Sequence, residues 1–373
     1  MRTGLTRRGF LEASALLAAS CASGPRAPAA PPETAADLMR RAIVIDGNLV
    51  LPVDDEAALP ADVVRAIRAS GLTAAKVTIG GPAGSYPQTI TDLEAYTRGI
   101  ARAADVYIQI KTVADLALAK RTGRVGIIYS FEAATMLEGK VERIAELGAL
   151  GVRVMQLSYN TASPFAAGVL TPQPSSGLTA LGREAVAQMN AHGVTLDLSH
   201  SDEPSSLAAI EASRRPALIT HAGCAAVHAH PRNKSDAVLR ALARRGGTVG
   251  IYELSFLSAG PAQQTLDDYV AHVAHALKIC GEDHVGIGSD ALLMPWDTTP
   301  EAMAEWDKEI AARKAAGIGA PGEGRPPYVV GLNRSDRVEV IASALLQRGY
   351  PARVTERVLG ANFQRVFAQT WPA

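Results

Sequence analysis

The chain has 373 residues, 47% of them hydrophobic and 20% charged, and its 37 basic side chains balance 37 acidic ones. That length is ample for one large α/β barrel or for two ordinary domains. Neutrality argues against nucleic acid or an anionic membrane surface as the main partner, and nothing beyond the N-terminus resembles a membrane span.

The first segment reads as an export signal. Thr6-Arg7-Arg8-Gly9-Phe10-Leu11 has the twin-arginine pattern and precedes the mostly apolar run Ala13 to Ala19. Ala18-Ala19-Ser20-Cys21 resembles a lipoprotein cleavage box, in which Cys21 would become a lipidated first residue. Ordinary signal cleavage nearby is the competing reading, because Ala18 stands where Leu is usual. Gly24 to Pro32 is rich in Pro and Ala and reads as an extended tether. The expectation is an exported, periplasmic protein with residues 1–32 outside the fold and residues 33–373 in a single domain. With Cys21 lipidated or removed, Cys224 and Cys280 are the remaining thiols; whether they pair is left open. No Cys-x-x-Cys occurs, so a thiolate zinc site is disfavoured.

Past the tether, helix and strand signals alternate. Ala35 to Arg41 is a short predicted helix feeding strand one, Ala42 to Asp46. Helix Pro60 to Ser70 stops at Gly71, and Leu72 to Ile79 is strand two. Helix Ile90 to Ala104, an extended piece at Val106 to Lys111 and helix Val113 to Thr122 lead to strand three, Arg124 to Glu132. Helix Val141 to Leu150 precedes strand four, Gly151 to Ser158, and then a polar loop, Tyr159 to Gly177, too long to be a mere connector. Helix Thr179 to His192 precedes strands five and six, Gly193 to His200 and Pro216 to His221. Helix Ser235 to Arg245, stopped by Gly246, precedes strand seven at Thr248 to Tyr252. Helix Leu266 to Cys280 precedes strand eight, His284 to Asp290. Residues 297–332 are an excursion rich in charge, Gly and Pro, read as a helix and loop over the barrel mouth. Ser335 to Gln347 and Thr355 to Phe367 are closing helices.

Strands alternating with helices indicate parallel crossover units, and eight is the number that closes a (β/α)8 barrel. The competing doubly wound sheet would carry Gly-x-Gly-x-x-Gly after its first strand, and no such motif follows the first strand here. In such a barrel, active groups lie at the carboxyl ends of the strands. Those ends carry Asp46, Lys76 (within strand two), Glu132, Tyr159, His200, His221, Glu253 and Asp290. Two histidines ending consecutive strands would face one pocket. With Glu132 they make a plausible three-ligand zinc site that leaves room for water. Asp290 would be placed to take that water's proton and hand it to a leaving amine. Each residue also has a structural reading: hydrogen-bonded histidines, a salt-bridged loop carboxylate at Glu132, and a helix cap at Asp290.

The combination of Glu132, Asp197-Leu-Ser-His200, Thr220-His221, Arg232-Asn233, Gly286-Ile-Gly-Ser-Asp290 and Leu359-Gly-Ala-Asn362-Phe-Gln-Arg365-Val-Phe367 resembles the membrane (renal) dipeptidase family of zinc hydrolases over nearly all of residues 40–370. The resemblance implies a (β/α)8 barrel, two zinc ions bridged by a glutamate, and hydrolysis of dipeptides that tolerates a D-residue at the C-terminal side. It implies Glu132 as the bridge, His200 and His221 as ligands of the second zinc, and Arg232 gripping the substrate carboxylate in a two-pronged contact. Asp290 would be the proton shuttle, and a homodimer is suggested.

The chain departs from that pattern at strand one. The family's Asp-Gly-His-x-Asp is here Asp46-Gly47-Asn48-Leu49-Val50, so Asn48 and Val50 stand where two first-metal ligands belong. Valine cannot ligate and an amide is a poor zinc ligand, so one zinc is expected, although Asp54 and Asp55 further along could in principle compensate. Tyr159 stands where the family tends to carry histidine; its hydroxyl could still hydrogen-bond to substrate or an oxyanion. Lys76, inside an apolar strand, either replaces the charge of the first zinc near Glu132 or reaches out to solvent. His228 and His230, on the loop after His221, are expected on the substrate side or in solvent, and His272 and His275 in packing or on a helix surface. The expected activity is a one-zinc dipeptidase-like hydrolase acting on a small peptide or peptide-like substrate. The runner-up is a member that has lost dipeptidase activity and binds a small ligand or catalyses a non-hydrolytic step.

Overall fold

Mostly apolar, largely buried runs become the strands of one parallel barrel, and a separate two-stranded pair lies beside it. In the computed structural model, which describes residues 33–81 and 83–372, the strands are β1 (Ile45–Asp46), β2 (Leu49–Val50), β3 (Ala74–Thr78), β4 (Tyr107–Gln109), β5 (Val125–Phe131), β6 (Val152–Gln156), β7 (Thr195–Asp197), β8 (Leu218–Ala222), β9 (Thr248–Ile251), β10 (Val285–Ile287) and β11 (Ala291–Leu292). The export signal, the tether and Cys21 lie outside the described residues. All seven residues of β5 and all five of β6 and β8 are buried, as befits a sheet covered on one face by helices and filled by side chains on the other. The order is β3-β1-β10-β9-β8-β7-β6-β5, and pairing of β3 with β5 closes the ring. The expected (β/α)8 barrel is the fold.

Two elements differ from the expectation. The extended piece before helix Val113–Thr122 is a ninth strand of the sheet. It pairs with the first half of β5 (Tyr107 opposite Val125), while β6 pairs with the second half (Phe131 opposite Met155). A helix at Glu203–Ala212 also joins β7 to β8. Its start is legible as Asp202-Glu203-Pro204, where Asp202 accepts from the Ser205 amide and Pro204 sits in the first turn. Its apolar residues Leu207 to Ile210 fall in one run rather than at a helical period, which hid it.

The closing segment fastens the amino-terminal rim. Asn362 donates to the carbonyls of Glu282 and Val285 at 2.9 and 2.8 Å, and Arg365 donates to those of Gly246 and Asp283 at 2.7 Å each. At the other rim, β2 pairs in parallel with β11, Val50 opposite Leu292. The 297–332 excursion holds helix Pro300–Ala315 and a loop. Asn160 anchors that loop through the Ile318 carbonyl at 2.8 Å, and His230 through the Pro321 carbonyl at 2.6 Å.

One irregularity sets the register at the mouth. Ile219 lies opposite Val249, but Ala222 lies opposite Ile251, so β8 holds one residue more than β9 between those pairs. Such a bulge re-aims side chains next to a site, and here it spans Thr220 and His221. It also turns the Thr220 carbonyl toward neighbouring glycines: a Cβ at Gly288 would lie 1.8 Å from that oxygen and one at Gly250 2.1 Å. Gly288→Ala is therefore expected to cost about 3 kcal/mol of stability, seen as a lowered urea midpoint. An unchanged midpoint would mean that the bulged carbonyl can withdraw.

Candidate metal centre

Glu132 follows β5, His200 follows β7 and His221 lies near the end of β8, so the carboxyl-terminal rim of the barrel delivers all three. The Nε2 atoms of His200 and His221 are 3.0 Å apart, and His221 Nε2 is 3.7 Å from Glu132 Oε1. One potential ligand atom from each residue falls within 4.8 Å of the others. Both imidazoles are buried and Glu132 is partly so.

Hydrogen bonds decide which ring nitrogens carry protons. Asn160 donates its Nδ2 to Ile318, so its Oδ1 faces His200 Nδ1 at 2.7 Å and accepts from it. Thr220 gives its hydroxyl proton to Asp197 Oδ2 at 2.6 Å, which leaves its oxygen to accept from His221 Nδ1 at 2.9 Å. Asp197 also accepts the Ser199 hydroxyl at 2.6 Å and the Ser199 and Thr220 amides at 3.0 Å. Both Nε2 atoms therefore present lone pairs to one region. Burial first, then the charge of Arg232, holds both histidines well below the usual imidazole range, so both are neutral. Neutral imidazoles whose far nitrogens are fixed by an amide and by a hydroxyl–carboxylate relay, with a carboxylate beside them, suit a divalent ion such as zinc. The donor set fits.

Four further residues surround it. Asp290 has a left-handed backbone (φ 52°) and donates its amide to the Asn48 carbonyl at 2.7 Å; β11 follows it directly and its Oδ1 accepts from Asn48 Nδ2, so it caps no helix. Its Oδ2 is 4.0 Å from His221 Nε2. Burial, reinforced by the charge of Glu132, pushes its carboxyl up to about 7. Lys76 points inward and is fully buried; its Nζ donates to Asn48 Oδ1 at 2.7 Å and lies 3.9 Å from Glu132 and 4.0 Å from Asp197. Arg232 is buried beside the Tyr252 ring, donating to the Ser199 carbonyl at 2.5 Å and approaching His200 Nε2 at 3.2 Å. Tyr159 stacks on His200 at 4.1 Å, and its hydroxyl accepts from Arg313 Nη2 at 3.3 Å. Burial pushes the Tyr159 phenol up to about 12. A cavity of about 170 Å³ lies here, walled by Tyr159, His200, Arg232 and Asp290 from the barrel and by Trp306 and Arg313 from the excursion.

The remaining candidates are occupied elsewhere. Val50 is 54% exposed at the rim. Asp54 caps the amides of Glu56 and Ala57 and Asp55 pairs with Arg98 at 2.7 Å, so neither compensates for Asn48 and Val50. Glu253 is buried against Arg337 at 3.3 Å. His230 binds the excursion loop and stacks on Phe256 rather than facing solvent, and His228 is within hydrogen-bond distance, 3.0 Å, of the Phe256 carbonyl. His272 is buried, as a packing role requires. Cys224 and Cys280 are free thiols. Asn160 and Arg313 were not foreseen. Asn160 had a signal in its place just after Tyr159 at a strand end, whereas Arg313 reaches the site from a helix far along the chain and had none.

Comparison with known proteins is consistent with this geometry. The membrane dipeptidase family (peptidase family M19) matches residues 33–309. An uncharacterized dipeptidase of Schizosaccharomyces pombe is 31% identical over 180 residues, 47% of this chain and 43% of that protein. The dipeptidase tcpJ of Claviceps purpurea is 26% identical over 251 residues, 67% of this chain and 52% of that one, so the chain spans about half the length of these curated relatives. A crystal structure of an amidohydrolase from Pseudomonas aeruginosa superposes with a TM-score of 0.79 at 30% identity, covering 91% of this chain and 99% of that one. Among the described residues no helix is long and apolar enough to cross a membrane. If Asn160 orients His200 as a ligand, Asn160→Ala should weaken zinc binding roughly 10–100-fold, measured by competition with a chromogenic chelator. Unchanged affinity would remove Asn160 from the centre.

Proposed function

The chain belongs to the membrane dipeptidase family, and on that premise we propose that it is an exported, zinc-dependent hydrolase of dipeptides or small peptide-like substrates, working with one zinc held by Glu132, His200 and His221. The observation that carries this reading is the convergence of two bare imidazole nitrogens and a carboxylate at one barrel rim. Zinc bound there would polarise the scissile carbonyl and lower the pKa of a water toward neutrality.

The chain's own residues supply the rest. Asp290 Oδ1 is engaged by Asn48, so Oδ2, on the side of His221, takes the proton of the attacking water and passes it to the leaving amine. Arg232 offers its guanidinium to the substrate carboxylate from the cavity wall. Tyr159 accepts from Arg313, which leaves its hydroxyl proton free to donate to the substrate carbonyl oxygen. The excursion supplies one wall of this cavity of about 170 Å³, through Trp306 and Arg313. Export to the periplasm rests on the twin-arginine pattern at Thr6 to Leu11, and anchorage through Cys21 is the lipidated form of the same proposal. A homodimer rests on family resemblance alone.

Asn48 and Val50, neither of them a zinc ligand, favour a second reading in which the site binds a small ligand or carries out a non-hydrolytic step. Assay of zinc-loaded protein separates the two. The substrate panel should include L-Ala-D-Ala, the dipeptide mimicked by the phosphinate ligand of a Rhodobacter sphaeroides metallopeptidase that shares the fold at a TM-score of 0.68 and 19% identity. Hydrolysis is expected, with Asp290→Asn lowering kcat roughly 10²–10⁴-fold at unchanged zinc content. Full zinc occupancy with no turnover across the panel would select the second reading.

A further inference from the structure

Beside the three converging ligands lies a second meeting point of charges, and its centre is an amide. Asn48 Nδ2 donates to Glu132 Oε1 at 2.8 Å and to Asp290 Oδ1 at 2.7 Å, so its two hydrogens serve two carboxylates at once. Its Oδ1 accepts from the buried Lys76 ammonium at 2.7 Å. The amide can sit only one way round, because a flip would set its oxygen against both carboxylates and its NH2 against the ammonium. Two anionic oxygens converging on one point inside a protein call for a cation. Lys76 is that cation: at 3.9 Å it lies just beyond hydrogen-bonding contact with Glu132, and the Asn48 dipole carries its charge across the gap.

We infer that Lys76, acting through the Asn48 amide, is a built-in replacement for a metal ion between Glu132 and Asp290, and that this ammonium keeps the centre mononuclear. The inference rests on the metal reading above and adds what limits the metal count. An ion placed between the two carboxylates would have to displace Asn48 and sit beside a fixed positive charge that has no route to solvent, since Lys76 is fully buried. The lack of ligands at positions 48 and 50 is then only half of the exclusion. Restoring an anionic ligand while the ammonium stays should form an ion pair with Lys76 and recruit no metal. Lys76 is a positioning residue in this scheme.

Elemental analysis after equilibration with zinc and gel filtration tests this. The wild type is expected to hold one equivalent, Asn48→Asp the same number as the wild type, and Asn48→Asp with Lys76→Met one equivalent more. A gain by Asn48→Asp alone, or no gain by the double variant, overturns the inference. The inference is read from the difference between proteins and the zinc assignment from the wild-type value, so failure of one is visible apart from failure of the other. Should the double variant not fold by circular dichroism, the wild type loaded with Mn²⁺ gives the answer by electron paramagnetic resonance. Isolated-ion spectra support the inference and an exchange-coupled pair overturns it.

Discussion

Two imidazole nitrogens, both stripped of protons, face each other 3.0 Å apart in the interior of this barrel. Left alone, that contact sets lone pair against lone pair, and a buried acceptor without a donor costs about 1–3 kcal/mol. The surrounding structure enforces it all the same. The far nitrogen of His200 is committed to Asn160, whose amide is fixed by the excursion, and that of His221 is committed to Thr220 and through it to Asp197. Arg232 Nη2, 3.2 Å from His200 Nε2, is one donor available to relieve it. A divalent ion is the better partner, because it satisfies both nitrogens and Glu132 together.

The fold serves this contact through an irregularity. A regular β8 would send successive side chains to opposite faces, so Thr220 and His221 could not both take part in the site. The bulge lets Thr220 lie under Asp197 while its neighbour turns its ring toward His200. Glycines at 250 and 288 leave room for the carbonyl that the bulge displaces. The substrate side is assembled differently, from Tyr159 on the barrel and from Trp306 and Arg313 on the 297–332 excursion. The proposed metal ligands thus come from strand ends, where position is rigid, and part of the cavity wall comes from a segment tied down by side-chain hydrogen bonds to its backbone.

How much of this was legible follows from what each feature depends on. The eight barrel strands could be read because each is a short, mostly apolar run, buried except at Thr78, and bounded by Gly, Pro or polar residues. The strand-end rule then placed Glu132, His200 and His221 on one rim. Helix 203–212 escaped because its apolar residues are contiguous; the piece at 106–111 was legible as extended, but its pairing with β5 is a tertiary contact that local pattern does not carry. The inward direction of Lys76 depends on the phase of β3 relative to the barrel axis, which a five-residue strand leaves open. The contacts of Asn160 with Ile318 and of Arg313 with Tyr159 join residues more than 150 positions apart, beyond the reach of local pattern.

Asn48 and Lys76 are intelligible only as a pair. An ammonium at 3.9 and 4.0 Å from two carboxylates, with no hydrogen bond of its own, would be a poorly compensated buried charge. An amide donating to two carboxylates without a cation behind it would hold two anions close with nothing to offset their repulsion. Together each supplies what the other lacks: the ammonium polarises the amide, and the amide delivers that polarisation to oxygens the lysine does not reach. Removing the ammonium alone would leave the carboxylates without a cation, and removing the amide alone would break the link that carries the ammonium's charge to them. A passage between a metal and a lysine at this position therefore needs both changes together, and that coupling, rather than the absence of two ligands, sets the charge balance around Glu132.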